Sequence, residues 1–244
     1  ALGAGIHGYI GEKGIEPHPI TNQLLPHVLT SWEVADPTGT TLIFKVHPKL
    51  FVHNVAPWNG RQFNAEDVAF NLMRIGGMMA KGGPREEKNA VPLSQFQRAT
   101  MVANIVKAEA VDNLTVKVTL RKPNGSLLPA LADPRASMVP VEFEQIGFKE
   151  PMKFAATGAW IPTSYVDGTR QTFKANPEYF RSWDEGGRPG PDAYEKVVIQ
   201  DRGSSVAAFL SGQIDVLGSV RPEEEGQDRK STRLNSSHVA LSRM

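Results

Sequence analysis

Apolar and polar positions alternate most regularly in two stretches of the chain. From Thr40 to His47, Leu42, Phe44 and Val46 fall on one face, and Ile43, Lys45 and His47 on the other. From Asn113 to Arg121, Leu114, Val116, Val118 and Leu120 alternate with Thr115, Lys117, Thr119 and Arg121. A period of two is that of a strand with one face in a core. Asp36-Pro-Thr-Gly39 is turn chemistry, so Ser31–Val34 is expected to pair with the first strand. Ile105–Ala110 pairs with the second strand through a turn at Asp112-Asn113, and Asn59-Gly60 marks another turn. Further strands are expected over 161–166, 171–175, 197–200 and 214–217.

The period changes at Asn64. Val68, Leu72 and Ile75 recur at helical spacing, Asn64 suits the N-cap, and Glu66 and Asp67 sit where the helix dipole favours acids. The helix is expected to run to about Arg74 and to stop at Gly76-Gly77, with a loop over Met78–Pro92. Short helices are expected at Leu127–Ala132, within Met138–Gly147, and after a cap at Ser204 or Ser205, where Val206, Phe209 and Leu210 share a face and Gly212 ends the helix. Hairpins interleaved with helices indicate a mixed α/β or α+β chain.

Composition narrows the chemistry. The 244 residues are 40% hydrophobic and 22% charged, as in a soluble globular domain. There is no cysteine, which excludes disulfides, a thiol nucleophile and cysteine metal sites. No apolar run reaches a membrane span, and the start, Ala1 to Tyr9, has no signal-peptide pattern. The formal net charge is +1, but residues 228–244 carry four basic side chains and one acidic one; without them 23 basic and 25 acidic side chains leave −2. The body gives no ground for nucleic-acid binding.

Residues 228–238 read DRKSTRLNSSH. This string resembles the translation of a common sequencing-library adapter. Residues 228–244 are therefore expected to be a non-native tail without a part in the fold. A Ser/Arg-rich basic tail that binds nucleic acid or carries phosphosites is the alternative.

Catalytic signatures are missing. The six histidines, His7, His18, His27, His47, His53 and His238, form no HxH or HxxxH pair. There is no GxSxG, no P-loop and no GxGxxG; the glycines of Ala4-Gly-Ile-His-Gly8 do not make one. Glu66/Asp67 reads as helix-start chemistry and Glu223–Glu225 as a solvated run, with no second catalytic group legible beside either. Neither an enzyme nor a metal or cofactor site is indicated.

Three segments in order carry a resemblance. Pro26 to Val34 ends in Trp32-Glu-Val34; Thr41 to Val46 holds Phe44; Phe51-Val-His53 follows; then Gly60-Arg-Gln-Phe63-Asn-Ala-Glu-Asp67-Val68-Ala-Phe70. The second is Val111-Asp-Asn-Leu-Thr115-Val116 and its strand, ending near Pro123. The third is Ala156-Thr-Gly158-Ala-Trp160, Asn176-Pro-Glu-Tyr179-Phe180 and Phe209-Leu-Ser-Gly212-Gln-Ile-Asp215. Together they resemble the bacterial extracellular solute-binding family 5, the oligopeptide, dipeptide and nickel-binding components of ABC importers. Departures are Val46-His47 in place of Leu-Arg, Val52 between Phe51 and His53, and Ala156 and Ala159 in place of a Gly and a Pro.

The resemblance implies a periplasmic-binding-protein-like α/β fold, a two-lobed class II clamp with an extra subdomain. Residues 1–30 and 155–227 would form the first lobe, and 31–154 the inserted subdomain. The second lobe would follow Gln227. The implied function is capture of peptides or similar solutes outside the cytoplasmic membrane, as a monomer, for delivery to a permease with ATPase subunits. It implies a binding protein without catalysis or cofactor. A mixed α/β hydrolase and a chaperone-like or signalling binder on the same scaffold are the alternatives. Trp160 and Thr157 near the cleft, and Tyr9 on the first-lobe side, are the candidate ligand contacts. The competing reading of Trp160 is a core aromatic. Trp32, Phe44 and Phe70 are expected in the core, and His53 in a structural role.

Overall fold

The computed structural model describes residues 10–78, 92, 99–146, 151–181 and 190–218. By internal contacts the chain divides into one unit of residues 1–162 and 175–189 and a second of 163–174 and 190–244.

The first unit is organised by a four-stranded antiparallel sheet. Its strands are β3 (Leu29–Val34), β4 (Thr41–Val46), β5 (Ile105–Asp112) and β6 (Thr115–Leu120), in the order β3-β4-β6-β5. The two alternating segments lie side by side at its centre, with Phe44 opposite Val116 and Leu42 opposite Val118. Their apolar faces are buried as expected: Phe44, Val116 and Val118 are at 0% exposure. The β3–β4 turn is built by Asp36, whose carboxylate accepts from the backbone N–H groups of Thr38 and Thr41, while Gly39 takes the positive φ the turn needs. The β5–β6 turn falls at Asn113-Leu114, one residue later than expected. A small ladder of β1 (Ile15–Pro17) and β2 (Leu24–Pro26) precedes the sheet.

Helix α1 (Ala65–Ile75) packs chiefly on β5 and β6. Asn64 caps it: its Oδ1 accepts from the N–H of Glu66 and of Asp67, and the Asp67 carboxylate accepts from Asn64 N in return. Gly76 and Gly77 close the helix, Gly77 on the left-handed side at φ 72°. Val68, Leu72 and Ile75 are buried, but so are Asp67, Ala69, Phe70 and Asn71. The second buried face lies under residues 138–143. There Asn71 exchanges hydrogen bonds with the backbone of Val139 (2.6 and 3.1 Å), and Val141 N donates to Asp67 (2.9 Å). Arg61 donates to both Asp67 oxygens at 2.7 and 2.8 Å and also to Glu142.

Short helices α2 (Ala99–Val102), α3 (Leu127–Leu131) and α4 (Phe143–Ile146) also belong to the first unit. Phe70 and Phe44 are core residues as expected, whereas Trp32 is only half-buried because it stands on the edge strand β3.

The chain passes along β7 (Trp160–Val166) into a three-stranded sheet with β8 (Arg170–Ala175) and β9 (Ala193–Val197). In the second unit, β9 lies upstream of the expected 197–200, because Ala193–Val197 is the stretch in register with Arg170–Lys174. Helix α5 (Arg202–Leu210) is capped by Asp201 and not by Ser204 or Ser205; the Asp201 carboxylate accepts from both the N–H and the hydroxyl of Ser204. No strand forms at 214–217. Instead the Gln213 and Ile214 N–H groups return to the Ala208 carbonyl, using the last helical acceptors. The expected loop over Met78–Pro92 lies outside the described residues apart from its two end residues, as do Glu223–Glu225 and the segment 228–244.

Candidate functional site

The turn that carries two of the three expected ligand contacts is held from both sides. Residues Phe154 to Gly158 are buried where the chain leaves the inserted segment. Gly158 N donates to the Ile10 carbonyl at 2.7 Å, and the Gly158 carbonyl accepts from His53 Nε2 at 2.9 Å and from Asn176 Nδ2 at 3.0 Å. The backbone is tied as well, His53 N to Ala156 O and Asn176 N to Ala159 O, both at 2.8 Å. Two side chains far apart in sequence thus fix one carbonyl, and with it the path of Thr157 and Trp160.

His53 is 1% exposed, and burial holds its imidazole down at about 4, although the Gly158 carbonyl and Glu12 work the other way. It is a neutral donor through the physiological range. This is the structural role expected of it.

Thr157 is 1% exposed and its hydroxyl has no hydrogen-bond partner among the described residues. Trp160 is half-buried at the start of β7, neither a fully buried core aromatic nor an open surface ring. Tyr9 lies outside the described residues.

A second constellation, not legible in the sequence, lies in the same unit. Glu12 receives the Tyr179 hydroxyl at 2.7 Å and stands 2.5 Å from His27 Nε2. Glu16 receives Arg181 Nη1 at 2.6 Å and lies 3.6 Å from His27 Nδ1. Burial pushes the Glu16 carboxyl up, but His27, Arg181 and Lys13 together outweigh it and leave the group below its ordinary value. Tyr179 is raised far above an ordinary phenol by burial and by the Glu12 charge, so its hydroxyl stays a donor. Phe180 is flanked by the His27 ring at 5.4 Å and the His47 ring at 4.9 Å. Tyr179, Phe180 and Arg181 are thereby held against Glu12, Glu16 in β1, and His27 and His47, which directly follow β2 and β4. In the sequence, Asn176, Tyr179 and Phe180 stood out as motif letters only. Glu12, Glu16 and His27 gave no signal, since their partners are up to 167 positions away.

Chemically these arrangements hold and position groups. Both buried histidines commit Nε2 to a carbonyl or a carboxylate, and among the described residues neither ring meets a hydroxyl it could activate as a nucleophile. Among the described residues no group of His, Cys, Asp and Glu has the geometry of a metal site. No helix among them is long and apolar enough to cross a membrane.

Residues 23–243 match the family described as bacterial extracellular solute-binding proteins, family 5 Middle, a span that takes in the segment 228–238. Di/tripeptide-binding protein 1 of Pseudomonas aeruginosa is 27% identical over 166 residues, 65% of this chain and 30% of the relative. The probable ABC transporter periplasmic-binding protein SapA of Escherichia coli is 26% identical over 217 residues, 84% of this chain and 37% of the relative. The chain thus spans about a third of the length of these curated relatives. Among solved structures, the periplasmic binding protein DppA from Helicobacter pylori, in complex with peptide STSA, superposes with a TM-score of 0.75 at 22% identity, over 91% of this chain and 43% of that one. That likeness establishes the fold as periplasmic-binding-protein-like α/β.

Proposed function

The chain belongs to the bacterial extracellular solute-binding proteins of family 5, and from that membership we propose that it is part of the substrate-binding component of an ABC importer. The protein takes up short peptides or similar solutes outside the cytoplasmic membrane and presents them to a permease driven by ATPase subunits. The observation that carries the reading is the family match over residues 23–243. It is supported by relatives whose names state di/tripeptide binding and ABC transport. In this reading residues 1–30 and 155–227 are the first lobe of a clamp and 31–154 its inserted subdomain. Ligand is enclosed by closure of the second lobe, and the protein acts as a monomer without catalysis.

Thr157, Trp160 and Tyr9 are the proposed contacts on this side. Among the described residues the Thr157 hydroxyl has no hydrogen-bond partner, and a polar ligand group that reached it would add about 1 kcal/mol. Trp160 is half-buried at the start of β7, and a contact with it would bury apolar area of a ligand side chain.

The test is uptake. Inactivating the gene in its host should abolish import of radiolabelled di- and tripeptides and leave import of free amino acids intact. Undiminished uptake of every peptide length and of nickel chelates would contradict the reading.

A further inference from the structure

An open depression of about 480 Å³ lies in the first unit, lined by Lys49, Phe51, Gly60, Glu178, Tyr179 and Phe180. None of these residues belongs to the turn assigned to the importer ligand, so the depression is independent of that assignment. The size is that of a small-molecule site.

Its walls are aromatic and fixed. Phe51 is 40% exposed, unusual for a phenylalanine, yet its backbone is locked by a bridge to Gln62 flanked by Val52 N to Arg61 O and Phe63 N to Leu50 O. Tyr179 is pinned through its hydroxyl to Glu12, and Phe180 between His27 and His47. The Glu12–His27–Glu16–Arg181 network, buried only at His27, thus has a consequence at the surface: it holds two rings still. A ligand meeting them loses little free energy in ordering the protein.

The charges are of opposite sign. Lys49 and Glu178 both line the depression and are exposed, and no ion pair joins either of them to another described residue. Lys49 is a cation open to a carboxylate, Glu178 an anion open to an ammonium, and the rings that line the same depression suit an apolar group.

We infer that this depression is a second solute site, taking a zwitterionic amino acid or short peptide with an aromatic or branched side chain. The ligand carboxylate meets Lys49, its ammonium meets Glu178, and its side chain lies on Phe51 and Phe180.

The experiment titrates this chain with L-phenylalanine, followed by NMR shifts. Phenethylamine, lacking the carboxylate, and 3-phenylpropionate, lacking the ammonium, are titrated in parallel. L-phenylalanine is expected to bind saturably, and each analogue to bind about threefold to tenfold more weakly. Lys49→Met should weaken phenylalanine and phenylpropionate but leave phenethylamine unchanged; Glu178→Gln should weaken phenylalanine and phenethylamine but leave phenylpropionate unchanged. Phe51→Ala, at an exposed position, should weaken all three. Absence of saturable binding of phenylalanine up to about 10 mM, equal affinity for the three ligands, or indifference to both charge variants would overturn the site.

Discussion

His53 donates to the Gly158 carbonyl from a position 1% exposed, and its imidazole is depressed from 6.5 to about 4. In the unfolded chain the same ring takes a proton near its ordinary value. Below that value the unfolded state therefore binds the extra proton and the folded state does not. The stability His53 leaves intact above pH 6.5 is lost as pH falls towards 4. At about 1.4 kcal/mol per unit the full loss is about 3 kcal/mol. His53→Gln keeps an amide N–H for Gly158 and removes the titration. Urea unfolding between pH 7.5 and 4.5 should thus show a shallower decline for the variant than for the parent chain; identical slopes would refute a buried neutral His53. Asp67, at 0% exposure, answers to Arg61, Asn64 and Val141 at once. Asp67→Ala leaves Arg61 with Glu142 as its one carboxylate partner and removes the acceptor of Asn64 N and Val141 N, and should cost about 2–3 kcal/mol. Asn64→Ala, which removes only the cap, should cost about 1 kcal/mol. Equal losses in thermal unfolding would mean that Asp67 acts as a cap alone.

Among the elements, the central pair β4 and β6 bears the sheet's core. Phe44 is wholly buried opposite Val116, so Phe44→Ala should cost about 3–5 kcal/mol, and Ile43→Ala, half-buried on the other face, clearly less. Denaturant midpoints for the two variants check the face assignment. These strands and α1 are legible because their patterns are local: strict alternation, and Asn64 three residues before Asp67. The cap of α5 is not, because Asp201 and Ser204 are both good capping residues, and the choice rests on which carboxylate or hydroxyl reaches the free N–H groups. Strand β9 is displaced from its expected place because register with β8 selects the paired stretch. The expected strand at 214–217 loses its backbone donors to the end of α5.

At the scale of the whole molecule, family motifs carry the architecture, while the contacts that fix the candidate site are hidden by distance along the chain. Thr157 and Trp160 are visible as motif positions, yet the clamp on Gly158 joins positions 53, 158 and 176, and Tyr179 meets Glu12 across 167 residues. No periodicity records such pairs. This chain is proposed to supply one face of a peptide-binding clamp, and it matches about a third of the length of its curated relatives. A clamp gains affinity by excluding water and meeting the ligand's polar groups from both sides, and forgoing three hydrogen bonds at about 1 kcal/mol each weakens binding more than a hundredfold. The most direct measurement is calorimetric titration of di- and tripeptides into this chain and into the product of the complete reading frame that encodes it. Micromolar binding is expected of the complete product, weakened by Thr157→Val and Trp160→Ala, and binding by this chain at least about a hundredfold weaker. Micromolar binding by this chain alone, or no peptide binding by the complete product, would contradict it.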